Sequence, residues 1–329
     1  MPDSGAFRRP ATRAHLVLAF AAVYVLWGST YLAIRFGVET IPPFLMAGLR
    51  HLTAGVLLFG WLRLRGTPAP ERRHWGPAAA IGALMLLGGN GLVSWAEQRV
   101  PSGLAALIVA CVPIWMTVLD GIQNRRRPHG VVLLGLAAGL GGLAFLVAPG
   151  KFAGGAHVDL LGAGALLTAS FLWALGSLYA RRAKLPASTL MATAMEMIAG
   201  GAILFGVSAL LGEWQGFSLA AVSSRSLFAL LYLIVAGSLL GFTAYIFLLG
   251  ATTPARVSTY AYVNPVVAVF LGWALAAEGV TPRTVIAALA IVGSVAVIIR
   301  YGGRRVRKEM ALEAAPEAAA EPRRAGRTA

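Results

Sequence analysis

The stretch PFLMAGLRHLTAGVLLFGWLRL, residues 43–64, indicates the fold of this chain. It is almost entirely apolar, and as an α-helix it would rise about 33 Å, enough to cross the hydrocarbon core of a bilayer. Nine other stretches of similar character occupy residues 14–36, 75–96, 101–120, 130–149, 158–180, 186–212, 226–249, 254–276 and 283–301. The sequence therefore predicts an all-α integral membrane protein with ten transmembrane helices.

The composition agrees with this prediction. Of 329 residues, 58% are hydrophobic and only 12% are charged, whereas soluble domains carry about 25% charged residues. The bilayer must therefore be the main solvent. A formal net charge of +15 would suggest nucleic-acid binding in a soluble protein, but the positions of the basic residues favour another explanation.

Most of the basic residues fall on one side of the predicted membrane. Of the 28 lysines and arginines, 22 lie in the tails or in loops on the side of the two termini. Two, Arg35 and Arg50, lie within spans, and the opposite side has only Arg99, Lys151, Arg225 and Arg283. Because cytoplasmic loops are enriched in Lys and Arg, both termini are predicted to be cytoplasmic, and no nucleic-acid partner is expected.

The two halves of the chain can be aligned with each other. Residues 28–31 (GSTY) match residues 176–179 (GSLY), and Arg50 falls on Glu196. Five spans in each copy would place the second copy upside down, as in many secondary transporters. The predicted organisation is a cytoplasmic tail at 1–14, a first five-helix repeat at 15–150, a second at 151–302, and a basic, Ala- and Glu-rich cytoplasmic tail at 303–329 that is predicted to be disordered.

Several motifs resemble the EamA domain. Residues 26–31 (LWGSTY) look like its opening, and residues 110–113 (ACVP) look like part of its end. The second half repeats that end with residues 258–267 (STYAYVNPVV) and then Glu278. The chain thus resembles the ten-span EamA branch of the drug/metabolite transporter superfamily over about residues 15–302. The two halves differ at one position of this motif, because the first half has Arg126 where the second has Glu278.

The resemblance implies a five-plus-five inverted repeat in the bacterial inner membrane that exports small metabolites, amino acids or drugs. The expected partners are a small-molecule substrate and the lipid bilayer. Oligomeric state stays open between monomer and homodimer, because the small residues Gly135, Gly139 and Gly142 suit either dimerisation or packing within one chain.

Arg50 and Glu196 are the first candidates for a transport role. Both lie deep inside apolar spans, where an ionisable residue is costly and by default suggests function. They could form a structural ion pair between the two halves. Alternatively, Arg50 binds a substrate carboxylate and Glu196 is the proton-coupling residue.

Other polar and aromatic residues are candidates for lining a substrate path. They include an aromatic face in the first span and another in the sixth, for which ordinary helix packing is the alternative. The residues are Trp27, Ser29, Tyr31, Asn90, Trp173, Ser177, Tyr262 and Asn264. Pro113 and Pro265 are predicted to break their helices, since each removes a backbone hydrogen bond.

Three further ionisable residues are expected to have no direct part in transport. His51 is expected to hydrogen-bond a neighbouring helix, although titration near neutral pH is an alternative. Glu97 and Asp120 lie near span ends and are expected to be solvated. The sequence has no paired-carboxylate, phosphate-binding or metal-ligand motif, so neither a cofactor, a metal nor an enzymatic activity is predicted.

The sequence therefore predicts a secondary transporter that works by alternating access, with proton coupling as one possibility. An uptake carrier and an uncoupled facilitator of the same fold are alternatives. A membrane-embedded enzyme or a scaffold acting through the basic tail is a less favoured class.

Overall fold

The computed structural model describes residues 12–123, 125, 130–147, 159–251, 257 and 259–301. All the regular structure in these residues is helical. In chain order the helices are α1 Arg13–Gly37, α2 Pro43–Leu64, α3 Arg72–Ala96, α4 Ser102–Gln123, α5 Gly130–Val147, α6 Leu160–Ala180, α7 Thr189–Leu210, α8 Ser224–Leu248, α9 Tyr260–Ala276 and α10 Pro282–Tyr301. A short 3₁₀ turn, Leu219–Ala221, precedes α8.

The predicted spans agree closely with these helices. Eight of the helices in the described residues are long and apolar enough to cross a membrane, whereas α5 and α9 are shorter. Those two adjoin residues 148–158 and 252–256, which lie outside the described residues. Residues 1–11 of the predicted tail at 1–14, the whole predicted tail at 303–329 and the difference at Arg126 also lie outside them. The prediction of an all-helical membrane protein is confirmed.

Three helices contain π-helical segments, in which the turns are wider than in an α-helix. The segments are Val23–Trp27 in α1, Gly82–Gly91 in α3 and Leu233–Leu240 in α8. Such segments are rare and frequently lie at functional sites. The π-helical segments of α3 and α8 occupy the third helix of each predicted repeat.

The two prolines behave differently. The chain leaves the helix at Ala110 and Cys111, immediately before Pro113, so α4 is interrupted as predicted. The predicted break at Pro265 is not seen, because the helix continues from Tyr260 to Ala276. Pro265 is the sixth residue of the described helix, so it removes the hydrogen bond to the carbonyl of Ala261, but the loss of this one bond does not end the helix.

Glycines bring α2 and α7 into close contact. A Cβ atom placed on Gly55 would lie 2.8 Å from the backbone nitrogen of Ile198, and one on Gly201 would lie 2.8 Å from the Cα of Leu52. These contacts are reciprocal. Gly55 packs on the backbone three residues before Gly201, and Gly201 packs on the backbone three residues before Gly55. Reciprocal contacts are what a twofold axis between related elements requires.

The small-residue face of α5 is used within the chain. Gly139 meets the side chains of Ile114 and Ser294, and a Cβ on Gly142 would lie 2.8 Å from the Cβ of Ala290. The glycines therefore pack α5 against α10 and α4. Of the two roles left open by the sequence, packing within the chain is the one that the structure supports.

The two ends of the helix bundle differ in charge. We call the end that carries most carboxylates the acidic end; its acidic residues are Glu39, Glu97, Asp159, Glu213 and Glu278. We call the other the basic end; its basic residues within the described chain are Arg13, Arg63, Arg65, Arg72, Arg73, Arg125, Arg181, Arg182, Lys184 and Arg300.

Two glutamates close the acidic end by capping helices. Glu278, after α9, accepts hydrogen bonds from the backbone N–H groups of Ser102 (2.7 Å) and Gly103 (3.0 Å) at the start of α4. Glu213, after α7, accepts from Phe44 (3.3 Å) and Leu45 (2.9 Å) at the start of α2. A carboxylate is favourable there because the first N–H groups of a helix lack partners and carry partial positive charge.

The α2–α7 contact predicts the effect of an added methyl group. We expect Gly201→Ala to lower the free energy of unfolding by about 1–3 kcal/mol, because the new methyl group meets backbone atoms that cannot rotate away. Gly206→Ala in the same helix is the control, since nothing lies within 4 Å of its added Cβ and alanine favours a helix. Melting temperatures in detergent would measure both, and equal values would contradict this packing.

Candidate functional site

The side chain of Arg50 is buried between α2 and α8. It is 5% exposed, and its Nε donates a hydrogen bond of 3.0 Å to the Oγ of Ser238. A Cβ on Gly237 would lie 3.2 Å from its Nη2, so a larger residue there would press on the guanidinium. The predicted ion pair with Glu196 is not formed in this structure.

The π-helical segment of α8 explains how Trp27 reaches the same place. The N–H of Gly241 donates to Ala236 and Ser238 and bypasses the carbonyl of Gly237. That carbonyl instead accepts a hydrogen bond of 3.1 Å from the indole Nε1 of Trp27. Trp27 and Arg50, which the sequence proposed separately, therefore meet at Gly237.

An aromatic cluster surrounds Trp27. Its ring centroid lies 5.3 Å from Phe242, 5.1 Å from Tyr245 and 5.1 Å from Tyr260. Two of these pairs, with Phe242 and Tyr260, are edge-to-face, and such pairs contribute about 0.5–1.5 kcal/mol each beyond their buried area. The cluster therefore links α1, α8 and α9 on the side of Arg50 that faces the basic end.

The remaining candidates of α1 and α9 lie around this cluster. The Ser29 Oγ hydrogen-bonds the Tyr232 hydroxyl at 2.6 Å, while Tyr31 is partly buried against the main apolar core. Asn264 is buried and its Oδ1 has no hydrogen-bond partner. Tyr262 is partly buried. These positions agree with a polar path beside α1, but no contact joins Tyr262 to Arg50.

The other candidates form a separate group on α3 and α6. A Cβ on Gly89 would lie 2.8 Å from the indole Cε3 of Trp173, and Asn90 is the next residue of the same π-helical segment. Ser177 donates to the carbonyl of Trp173 within its own helix, at 2.7 Å. The candidate residues thus lie in two places, one at the π-helical segment of α8 and one at that of α3.

Glu196 belongs to the second group. It is partly buried on α7, and its backbone carbonyl lies against Gly82 at the start of the α3 π-helical segment. Gly28 and Gly176 also pack closely on other helices, since a Cβ on Gly28 would lie 2.6 Å from Val267 and one on Gly176 would lie 2.6 Å from Met85.

Two ordinary assignments of the sequence are wrong. His51 is fully buried and neither ring nitrogen has a hydrogen-bond partner, so it makes no hydrogen bond to a neighbouring helix. Glu97 is fully buried rather than solvated, because the turn between α3 and α4 packs against other parts of the acidic end, among them Arg35 of α1. Asp120 is exposed, as expected.

Within the described residues, no group of three or more His, Cys, Asp or Glu side chains is placed to hold a metal ion. The contacts around Arg50 can instead offer a cation, hydroxyl groups and aromatic faces to a small molecule. Such a set suits a carboxylate joined to an apolar group.

Comparison with known proteins now identifies the family. A model of the EamA-like transporter family matches residues 14–148 and 160–300. The chain belongs to this family. Its members' position in the drug/metabolite transporter superfamily agrees with the resemblance seen in the sequence.

Individual relatives place the protein in a membrane. The inner membrane transporter YedA of Escherichia coli (strain K12) is 44% identical over 265 residues, which cover 79% of this chain and 82% of YedA. A protein named "Probable amino-acid metabolite efflux pump" of the same strain is 26% identical over 268 residues, covering 76% of this chain and 83% of that protein. With its apolar helices, the chain is a multi-pass protein of the inner membrane.

A solved crystal structure shares the fold. It is 21% identical, covers 87% of this chain and 98% of its own, and superposes with a TM-score of 0.59.

The buried contact of Arg50 predicts a stability change. We expect Ser238→Ala to lower the free energy of unfolding by about 1–3 kcal/mol, because the Nε of a buried guanidinium loses its acceptor. Ser177→Ala is the matched control, since that hydroxyl bonds only its own helix, and little change is expected. Thermal unfolding in detergent would measure the difference; equal melting temperatures would show that Arg50 does not depend on Ser238.

Proposed function

We propose that the protein exports small amphipathic metabolites, with amino acids or their analogues as the leading class, by alternating access. The observation that carries the proposal is Arg50, a buried guanidinium whose hydrogen bond goes to a hydroxyl rather than to a carboxylate of the described chain. A substrate carboxylate would supply the missing negative charge. The name of the efflux-pump relative supports the same class of substrate.

We further propose that the ten helices form two inverted repeats of five, within 15–150 and 151–302. The reciprocal contacts of Gly55 and Gly201 support this arrangement, as do the π-helical segments in the third helix of each half. Two similar halves packed about a local axis can exchange conformations, which opens the central path to one side and then the other.

Glu196 is the proposed proton-coupling residue on this path. It is partly buried among apolar neighbours and has no ion pair with Arg50, so a bound proton would remove the cost of its charge. Uptake and uncoupled facilitation are the alternatives of the same fold. An enzyme or a scaffold remains a proposal of another class that no contact of the described residues favours.

Efflux from proteoliposomes tests the function. Vesicles loaded with a panel of amino acids and amphipathic drugs would be compared with and without an imposed pH gradient. We expect gradient-driven efflux by the wild type, loss of the gradient effect in Glu196→Gln, and about a ten- to hundredfold loss of carboxylate substrates in Arg50→Met, because a charge-assisted hydrogen bond contributes about 1.5–3 kcal/mol.

The control for these variants is Glu71→Gln, a neutralised carboxylate that is exposed at the basic end. It should transport like the wild type. If the flux were the same with and without the gradient and in Glu196→Gln, the protein would be a facilitator. The absence of flux for every compound would contradict export.

The orientation is a separate prediction. We propose that the basic end faces the cytoplasm, because it carries most of the arginines. In a Cys111→Ala background, a membrane-impermeant maleimide should label Leu219→Cys at the acidic end in intact spheroplasts. It should label Arg73→Cys at the basic end only after lysis. The reverse pattern would invert the topology.

A further inference from the structure

Glu97 is the most unusual charged residue of the acidic end. It follows the last residue of α3, and its side chain is fully buried. Neither carboxylate oxygen has a hydrogen-bond partner. Leaving an ionised carboxylate without partners in an apolar interior would cost several kcal/mol. This conformation is therefore more stable when Glu97 is protonated than when it is ionised.

Charged and titratable groups from three elements surround Glu97. Arg35 of α1 donates a hydrogen bond to its backbone carbonyl rather than to its carboxylate. Tyr31 of α1 and Arg50 of α2 are within electrostatic range, as is Glu278 after α9.

Other charges near the acidic end are already engaged elsewhere. Glu278 holds the start of α4, and Arg99 and Asp159 face each other at 3.9 Å with both side chains partly exposed.

The balance of these groups favours the protonated form. Burial raises the pKa of the Glu97 carboxyl well above its usual range, and the carboxylate of Glu278 raises it further. Arg35 and Arg50 act in the opposite direction but do not outweigh burial. The geometry leads to the same conclusion, because the Glu97 side chain is fully buried and neither of its carboxylate oxygens has a hydrogen-bond partner.

We propose that Glu97 is a proton-binding site whose occupancy keeps the acidic end closed. Its ligand is a proton from the aqueous phase at that end, which converts the carboxylate to a carboxylic acid. When the ends of α3, α4 and α9 separate, water reaches Glu97 and the proton leaves. The relevance of this site to transport rests on the proposed function, whereas the binding of the proton to the closed form does not.

The sign of the pH dependence follows from linkage. The closed form has the raised pKa and binds more protons than the open, hydrated form, whose pKa is about 4.3. Closure is therefore fully favoured below about 4.3 and is lost as the pH rises through the raised pKa of the closed form. Between the two values, the ratio of open to closed molecules increases about tenfold per pH unit.

Cysteine accessibility can measure this ratio without a known substrate. Ser102→Cys, in a Cys111→Ala background, places a thiol at a fully buried position next to Glu278. In nanodiscs, a hydrophilic maleimide would label it only when the acidic end opens. Labelling would be divided by that of Leu219→Cys, a residue 82% exposed at the same end, which corrects for the reactivity of the thiol itself.

We expect this ratio to rise with pH in the reporter protein, to stay low and flat when Glu97→Gln is added, and to rise again with Glu97→Asp. Glu213→Gln is the matched control, a neutralised glutamate at the same end that caps α2. It should keep the pH dependence.

A flat ratio in the reporter protein, or an unchanged slope with Glu97→Gln, would overturn the proposal. Because no flux is measured, these outcomes are distinguishable from failure of the efflux experiment.

Discussion

The close contact between α2 and α7 is the constraint on which the arrangement of the protein depends. Lipid tails are as apolar as the helices, so burial of apolar area does not drive these helices together, and close packing must hold them. Glycines at 55 and 201 remove the side chains that would separate the backbones. The same helix α2 carries the fully buried His51 and, five residues before Gly55, Arg50, whose side chain binds Ser238 of α8.

The polar residues of the bundle are arranged by depth. Near the middle, Arg50 and Trp27 meet at one residue of α8, Gly237. At the acidic end, Glu213 and Glu278 tie helix starts to segments distant in sequence. Arg50, Glu213 and Glu278 thus each join parts of the chain that are distant in sequence, and Glu97 differs from them because neither of its carboxylate oxygens has a hydrogen-bond partner.

The sequence predicted the helices well because each span is a long apolar run, and length alone decides whether a run can cross the bilayer. It could not predict burial at the ends. Glu97 occupies the kind of position where charges are usually hydrated, and its burial depends on tertiary contacts that bring residues distant in sequence, such as Arg35 and Glu278, near it. Pairing between distant residues was equally out of reach, since Arg50 binds Ser238 rather than its aligned partner Glu196. A signal existed for Glu278 in the motif of the second half.

The π-helical segment of α8 has a mechanical consequence. It contains one more residue than an α-helix of the same pitch would use. The carbonyl of Gly237 therefore lacks its usual donor within the helix, and it accepts a hydrogen bond from the indole of Trp27 instead. If the Gly241 N–H instead donated to the Gly237 carbonyl, as in a regular α-helix, the part of α8 after this point would rotate by about 100° and shift by about 1.5 Å along the helix axis. A single hydrogen bond from α1 therefore opposes a screw motion of α8, and the rings of Phe242 and Tyr245 would travel with it.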